Sequence, residues 1–124
     1  MDIKEPTKII GFIPPIVGVE DTFNTFRLGA KLAKSLTIGD IVYLANDKEK
    51  EVFGKAIVVS LDLGRLDEMC VIHGSKNHTE IGNEETQIGN EAPERLFKLL
   101  QKIYGPQVAM PTKKTTVIYL KRIK

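Results

Sequence analysis

Between Thr22 and Leu44 the spacing of apolar side chains changes twice, and that change dictates most of what the chain can become. Phe23, Thr25 and Arg27 alternate with Thr22, Asn24 and Phe26. Aromatic and β-branched residues at period two predict a strand over 22–27. Leu28, Leu32 and Leu36 then recur every four residues, which makes one apolar stripe of a short helix and leaves Lys31, Lys34 and Ser35 off it. Gly39-Asp40 breaks the helix, and Ile41 to Leu44 opens a new strand with no room for a long loop. A guanidinium, a hydroxyl, an amide and a lysine are thereby gathered where a strand meets a helix, which points to a binding cleft.

The rest of the chain supplies more strands and two further helices. Lys8 to Ile13 reads as a first strand, and Pro14-Pro15 ends it because proline cannot donate to a ladder. Asn46 to Glu51 is a charged hairpin loop. Val52 to Leu61 is the strongest strand, with Gly54 marking a bulge or a close backbone approach. Leu63 to His73 is expected to be helical, with Leu66, Met69 and Cys70 on one face and Gly74 as its stop. Residues 79–85 are repeated almost unchanged as 86–92. Two units of seven residues are too few and too short for a solenoid, so the duplication reads as an extended exposed loop with Gly-Asn turns. Pro93 opens the clearest helix, with Leu96, Leu99, Leu100 and Ile103 as its buried stripe and Glu94, Lys98 and Lys102 on its wet side. Gly105-Pro106 stops it. Thr115 to Lys121 is a final strand, whose more apolar register turns Thr116, Ile118 and Leu120 inward. The predicted class is α+β: one domain over residues 1–124, a small mixed or antiparallel β-barrel with two or three flanking helices.

Bulk properties exclude little but place the charge. A net charge of +2 does not by itself argue for nucleic acid. Residues 111–124, however, carry five basic side chains and no acid, whereas 79–94 carry five acids and no base, giving a basic edge and an acidic loop. The lone Cys70 forms no internal disulfide, and the start lacks the pattern of a signal peptide. The apolar run from Ile9 to Val19 is too short to span a bilayer. A cytoplasmic protein with no membrane partner is expected. Cys70, His73 and His78 have metal-like spacing, but a closed site wants a fourth ligand and the chain has no further Cys or His. Neither a metal centre nor a cofactor is expected.

The ordered motifs resemble those of ASCH domains, a branch of the PUA-like barrel superfamily. Asn24 to Arg27 is similar to the end of that family's Thr-x-Thr-x-Arg run, Lys31 to Leu36 to its short basic helix, and Gly39 to Leu44 to its turn and strand. Gly11 to Ile16 resembles the lead-in of phage-type members, and His73-Gly74, Tyr104-Gly105 and the last strand follow in the family's order. The resemblance implies a PUA-like barrel that binds RNA or a nucleotide-like ligand. In members similar to acetylated-cytidine amidohydrolases, it also implies a lysine five residues before the arginine, a threonine two before it and a distant glutamate. Here the threonine is Thr25, but the lysine position is Thr22, so no amine is poised to activate a nucleophile.

We therefore expect a binding module first. Its ligand-contacting residues are expected to be Asn24, Thr25, Arg27, Lys31, Lys34 and Tyr43, with Arg27 as the planar fork for phosphate or a base edge and Tyr43 as a stacking platform. The alternative is an amidohydrolase acting on an acylated nucleoside such as N4-acetylcytidine, with Thr25, Lys31 and Glu91 as its catalytic set. If Arg27 lines an open cleft, its removal is expected to weaken binding and leave the melting temperature nearly unchanged.

Overall fold

The computed structural model describes residues 8–14, 16–81 and 92–123. Five strands, β1 (Lys8–Phe12), β2 (Thr22–Leu28), β3 (Ile41–Asn46), β4 (Glu51–Arg65) and β5 (Lys114–Ile123), form one sheet in the order β1-β3-β4-β5-β2. Only the β1–β3 pairing is parallel; the others are antiparallel, so the sheet is mixed. The sheet curls into a half-barrel, leaving β1 and β2 as its two edges across an open seam. Four helices accompany it: α1 (Lys31–Ser35), α2 (Leu66–His73), α3 (His78–Ile81) and α4 (Ala92–Tyr104), with a 3₁₀ turn at Gly74–Lys76 between α2 and α3. The α+β class expected from the sequence is the architecture found, with the expected small barrel present as a half-barrel and four helices among the described residues where two or three were expected. Among the described residues, no helix is long and apolar enough to cross a membrane.

Both faces of the β2–β5 pair are buried, which explains why its sequence has few exposed positions. Inside the curl, Phe23, Ile118 and Leu120 pack with Ile10, Phe12, Val42, Leu44, Ala56 and Val58. Thr116 continues that inward row, opposite Arg27, as the more apolar register predicts. Outside, Phe26 and Val117 pack against Leu66, Met69 and Cys70 of α2 and Leu96 and Leu100 of α4. The period-two alternation thus separates two cores rather than core from water.

Four local expectations change. The stripe Leu28-Leu32-Leu36 is not one helix: Leu28 ends β2, and Gly29, at φ 94°, turns the chain before α1 begins at Lys31. Leu32 and Leu36 still pack on the inner core. Residues 63–65 are strand rather than helix, because they pair with Lys114 to Thr116, and a local helical spacing loses to a ladder. Ile103, expected in the buried stripe of α4, is 43% exposed. Gly74 caps α2, which ends at His73 as expected, but not as a left-handed glycine. It keeps right-handed helical angles, lies buried against the Ala92–Pro93 backbone, and passes the chain into the 3₁₀ turn. Gly105, by contrast, adopts φ 88° and closes α4 with its N–H on the Gln101 carbonyl, the expected left-handed cap.

Both readings of Gly54 hold. Phe53 is the extra residue of a bulge between the Leu44–Gly54 and Ala45–Val52 pairs. A side chain at Gly54 would run into the Arg122 guanidinium, which donates to the Val19 and Phe53 carbonyls. The start of the duplicated segment, Thr79 and Glu80, is helical, and Glu80 is buried in a bidentate ion pair with Arg95 of α4. Residues 82–91, which hold the rest of the duplication's first copy and most of the second, lie outside the described residues.

Candidate functional site

The seam between β1 and β2 is held by one side chain from each edge and roofed by α3. Arg27, on the inward row of β2, extends across the gap: its Nη2 donates to the Gly11 carbonyl of β1. Its Nη1 donates to the Thr25 hydroxyl at 2.8 Å and the Phe26 carbonyl at 2.9 Å. The guanidinium carbon lies 5.1 Å from the centre of the Phe12 ring, a cation–π contact. On the same ring, 5.1 Å away centre to centre and edge-on, rests His78 of α3, which also meets Phe23 at 6.1 Å. Asp47, in the turn after β3, is pinned to β1 by its N–H on the Phe12 carbonyl, and its exposed carboxylate lies over Gly11, in the place a Cβ would take.

Electrostatics at the seam follow from burial. Desolvation pushes the Arg27 pKa down, and the nearby Asp47 carboxylate is among the groups that partly restore it. Desolvation also pushes His78 down to about 4, with Arg27 adding to the effect and the Val17 carbonyl opposing it. At neutral pH His78 is uncharged. Its Nδ1 lies 3.1 Å from the Val17 carbonyl, which only accepts, so Nδ1 carries the hydrogen and Nε2 carries the lone pair. Among the described residues Nε2 has no partner, nor has the Nε–H of Arg27. No side-chain nitrogen or oxygen there is both sealed from solvent and unpaired, so each keeps some contact with solvent, although His78 is buried and Arg27 only partly exposed.

This gives a pH dependence with a definite sign. The unfolded chain protonates His78 near 6.5, the folded chain only near 4, so acid favours unfolding across that window. The stability is fully present above about pH 6.5, declines as pH falls, and levels off below about 4. The full gap is worth about 3 kcal/mol. Urea midpoints for wild type and His78→Gln between pH 7 and 4 should diverge by that amount, with wild type losing more. Parallel slopes would show an imidazole that titrates as in water.

The structure brings together only part of the expected site. Thr25 and Arg27 share a face and a hydrogen bond, but Thr25 is fully buried beneath the guanidinium. Asn24 points to the other face, fully buried, with its Nδ2 on the His73 carbonyl and its Oδ1 facing the Asn77 amide. It tethers the end of α2 to the sheet and does not reach the seam. Tyr43 lies outward on β3, between Ile9 and Lys55, opposite in direction to the core residues Val42 and Leu44. Lys31 and Lys34 are exposed on α1, and no hydrogen bond or ion pair among the described residues joins them to Thr25 or Arg27. Glu91 lies outside the described residues. Phe12, Asp47 and His78 were not among the candidates. Nothing local flags them, since His78 reaches the seam through contacts 61 residues away in sequence.

The metal-like trio is dispersed. Cys70 is buried among apolar side chains, where desolvation pushes its thiol up to about 12. His73 sits between Asp62 and Tyr119 on the outer face: its Nε2–H donates to the Asp62 carboxylate at 2.7 Å, and its Nδ1 accepts from the Tyr119 hydroxyl at 2.8 Å. With its carbonyl on Asn24, His73 is a fixed structural node. A cationic rim lies nearby. The Gly29 N–H donates to the Lys114 carbonyl, which sets exposed Lys113 and Lys114 beside the start of α1 with Lys31 and Lys34.

No family model matches the sequence, and no curated protein matches it. Solved structures do. The hypothetical protein PH0355 superposes with a TM-score of 0.63 at 15% identity, over 94% of this chain and 98% of that one. A serine-to-alanine variant of ZmASCH from Zymomonas mobilis gives 0.56 at 17% identity, over 98% and 75%. Protein EF3133 from Enterococcus faecalis V583, assigned to the DUF984 family model, gives 0.52 at 7% identity, over 87% and 64%. At these identities the likeness is one of fold, and the chain shares with these structures, the ASCH protein of Zymomonas mobilis among them, an α+β half-barrel fold.

Proposed function

We propose that the protein binds single-stranded RNA or a nucleotide-like ligand at the β1–β2 seam. The observation that carries this reading is Arg27, a partly exposed fixed cation at the edge of the barrel whose Nε–H has no partner among the described residues. Exposed Lys31, Lys34, Lys113 and Lys114 around the neighbouring turn give a backbone somewhere to run, and unpaired bases are free to enter a cleft that a duplex is too wide for. Fluorescence titration with short single-stranded RNAs at 50 and 200 mM salt tests it. Binding that weakens with salt, by about tenfold for two or three phosphate contacts, is expected. No binding at the lower salt would sink the reading. Hydrolysis of an acylated nucleoside draws less support, because the Thr25 hydroxyl is enclosed and already accepts from Arg27.

A further inference from the structure

On the outer face of the sheet, α2 buries Leu66, Met69 and Cys70, yet its opposite side leaves Val71 73% and Ile72 61% exposed. A surface helix ordinarily turns charge toward water there. Isolated apolar side chains on a surface are common, but these two are adjacent. Both are also β-branched, a type that gains little from being helical for its own sake. With Asp67 and Glu68 they line an open groove of about 310 Å³. It is acidic toward the start of α2 and apolar one turn further on. Asp67 is paired with Arg65, whereas Glu68 has no ion pair among the described residues. A lysine complements such a groove, its stem along the apolar part and its ammonium at Glu68.

The same stripe of the helix carries a lysine. Gly74 keeps right-handed angles at the end of α2, so the helical path runs on into the 3₁₀ turn Gly74–Lys76. Glu68, Ile72 and Lys76 therefore follow one another at four-residue spacing, and all three are exposed. An acid, an aliphatic and a base in that order complement themselves when the order is reversed. Two such stripes laid antiparallel set Glu68 against Lys76 twice and Ile72 against itself once. Laid parallel, they set acid on acid and base on base. We infer that a second copy of this chain occupies the groove, with the two α2 helices antiparallel about a two-fold axis at Ile72 and the partner's Lys76 at Glu68. The net charge of +2 is too small to hold two copies apart. One helix face from each copy makes an interface at the low end of the specific range, so the dimer is reversible and forms at micromolar concentration. This inference does not rest on the RNA-binding reading.

Sedimentation velocity of the intact protein, from about 10 to about 500 μM at low salt, tests the inference. The mass should rise with concentration from 13.8 kDa toward twice that value. Added salt should weaken the association, because the ion pairs lie at the surface. Ile72→Asp should raise the dissociation constant by about tenfold or more, since it sets two carboxylates together at the axis. Glu68→Lys and Lys76→Glu should each stay monomeric over the same range, because each brings like charges together on both sides of the axis. Mixed in equal amounts, these two variants should associate, since a copy with two lysines then meets a copy with two glutamates. The double variant, Glu68→Lys with Lys76→Glu, should dimerise as wild type does. All these positions are exposed, so the variants keep the fold. A wild type that stays monomeric throughout would overturn the inference and leave the groove to a protein of different sequence. A dimer that survives Ile72→Asp and both charge reversals would place the interface elsewhere. Monomeric single variants that fail to associate on mixing would overturn the antiparallel arrangement.

Discussion

Phe12→Ala is expected to cost about 3–5 kcal/mol of folding free energy, the range for truncating a fully enclosed phenylalanine. Phe12 is only 2% exposed and makes edge-on contacts with Phe23 at 6.2 Å and Phe53 at 6.0 Å. Those two rings come from β2 and β4, and Phe12 itself from β1. It also carries His78 and the Arg27 guanidinium. Removing the ring leaves a void that two other strands cannot close without distorting their ladders, so relaxation is limited. A domain this size has about 5–15 kcal/mol in hand. The melting temperature should fall by roughly 10–25 °C, with the urea midpoint shifted and the slope unchanged. A loss below about 1 kcal/mol would mean that the seam repacks freely around position 12, and the geometry on which the binding site depends would not be fixed.

Much of the architecture was legible because its signals are local. The Gly39-Asp40 break, the alternation of β2, the Pro93 start and Gly105-Pro106 stop of α4, and the inward row of β5 each follow from residues within one or two turns of each other. Where reading failed, a distant partner outweighed a local pattern. Leu63 to Arg65 carry the tail of a plausible helix, but β5 is long enough to pair with them. Gly74 does end α2, yet with Ala92 and Pro93 packed against it the cap keeps right-handed angles instead of the left-handed ones glycine allows.

The site was less legible than the fold, and for a related reason. Asn24, Thr25 and Arg27 are adjacent in sequence, but a strand sends neighbours to opposite faces, so only Thr25 and Arg27 share a side. Thr25 then disappears beneath Arg27, a consequence of the direction the long side chain takes toward Gly11. The groups that complete the seam come from β1, the turn after β3 and α3. No spacing within the chain announces that Phe12, Asp47 and His78 will gather near one guanidinium.

Arg27→Ala separates the two jobs of that guanidinium, and here the structure replaces the expectation of an unchanged melting temperature. Among the described residues Arg27 forms no ion pair with a carboxylate. It is tied to two carbonyls and a hydroxyl, and one of those carbonyls belongs to the opposite edge of the sheet. Charge-assisted hydrogen bonds of this kind contribute about 1.5–3 kcal/mol, and the contact with Phe12 adds about 0.5–2 kcal/mol. Water entering the open seam would satisfy the Gly11 carbonyl and offset part of the loss, whereas Thr25 is enclosed and would keep an emptier neighbourhood. A net destabilisation of about 2–4 kcal/mol is expected, less than for Phe12→Ala, with a fall in melting temperature of roughly 6–20 °C. Arg27→Lys should recover only part, because an ammonium cannot hold three acceptors in one plane. The binding role is read at a temperature where both variants remain folded: Arg27→Ala should lose RNA affinity by about tenfold or more, and Arg27→Lys should keep the salt dependence while losing much of the affinity. If Arg27→Ala melts as wild type does, the seam is not closed by this residue. If it melts early yet binds RNA unchanged once folded, Arg27 is a staple of the barrel and the ligand contacts lie elsewhere.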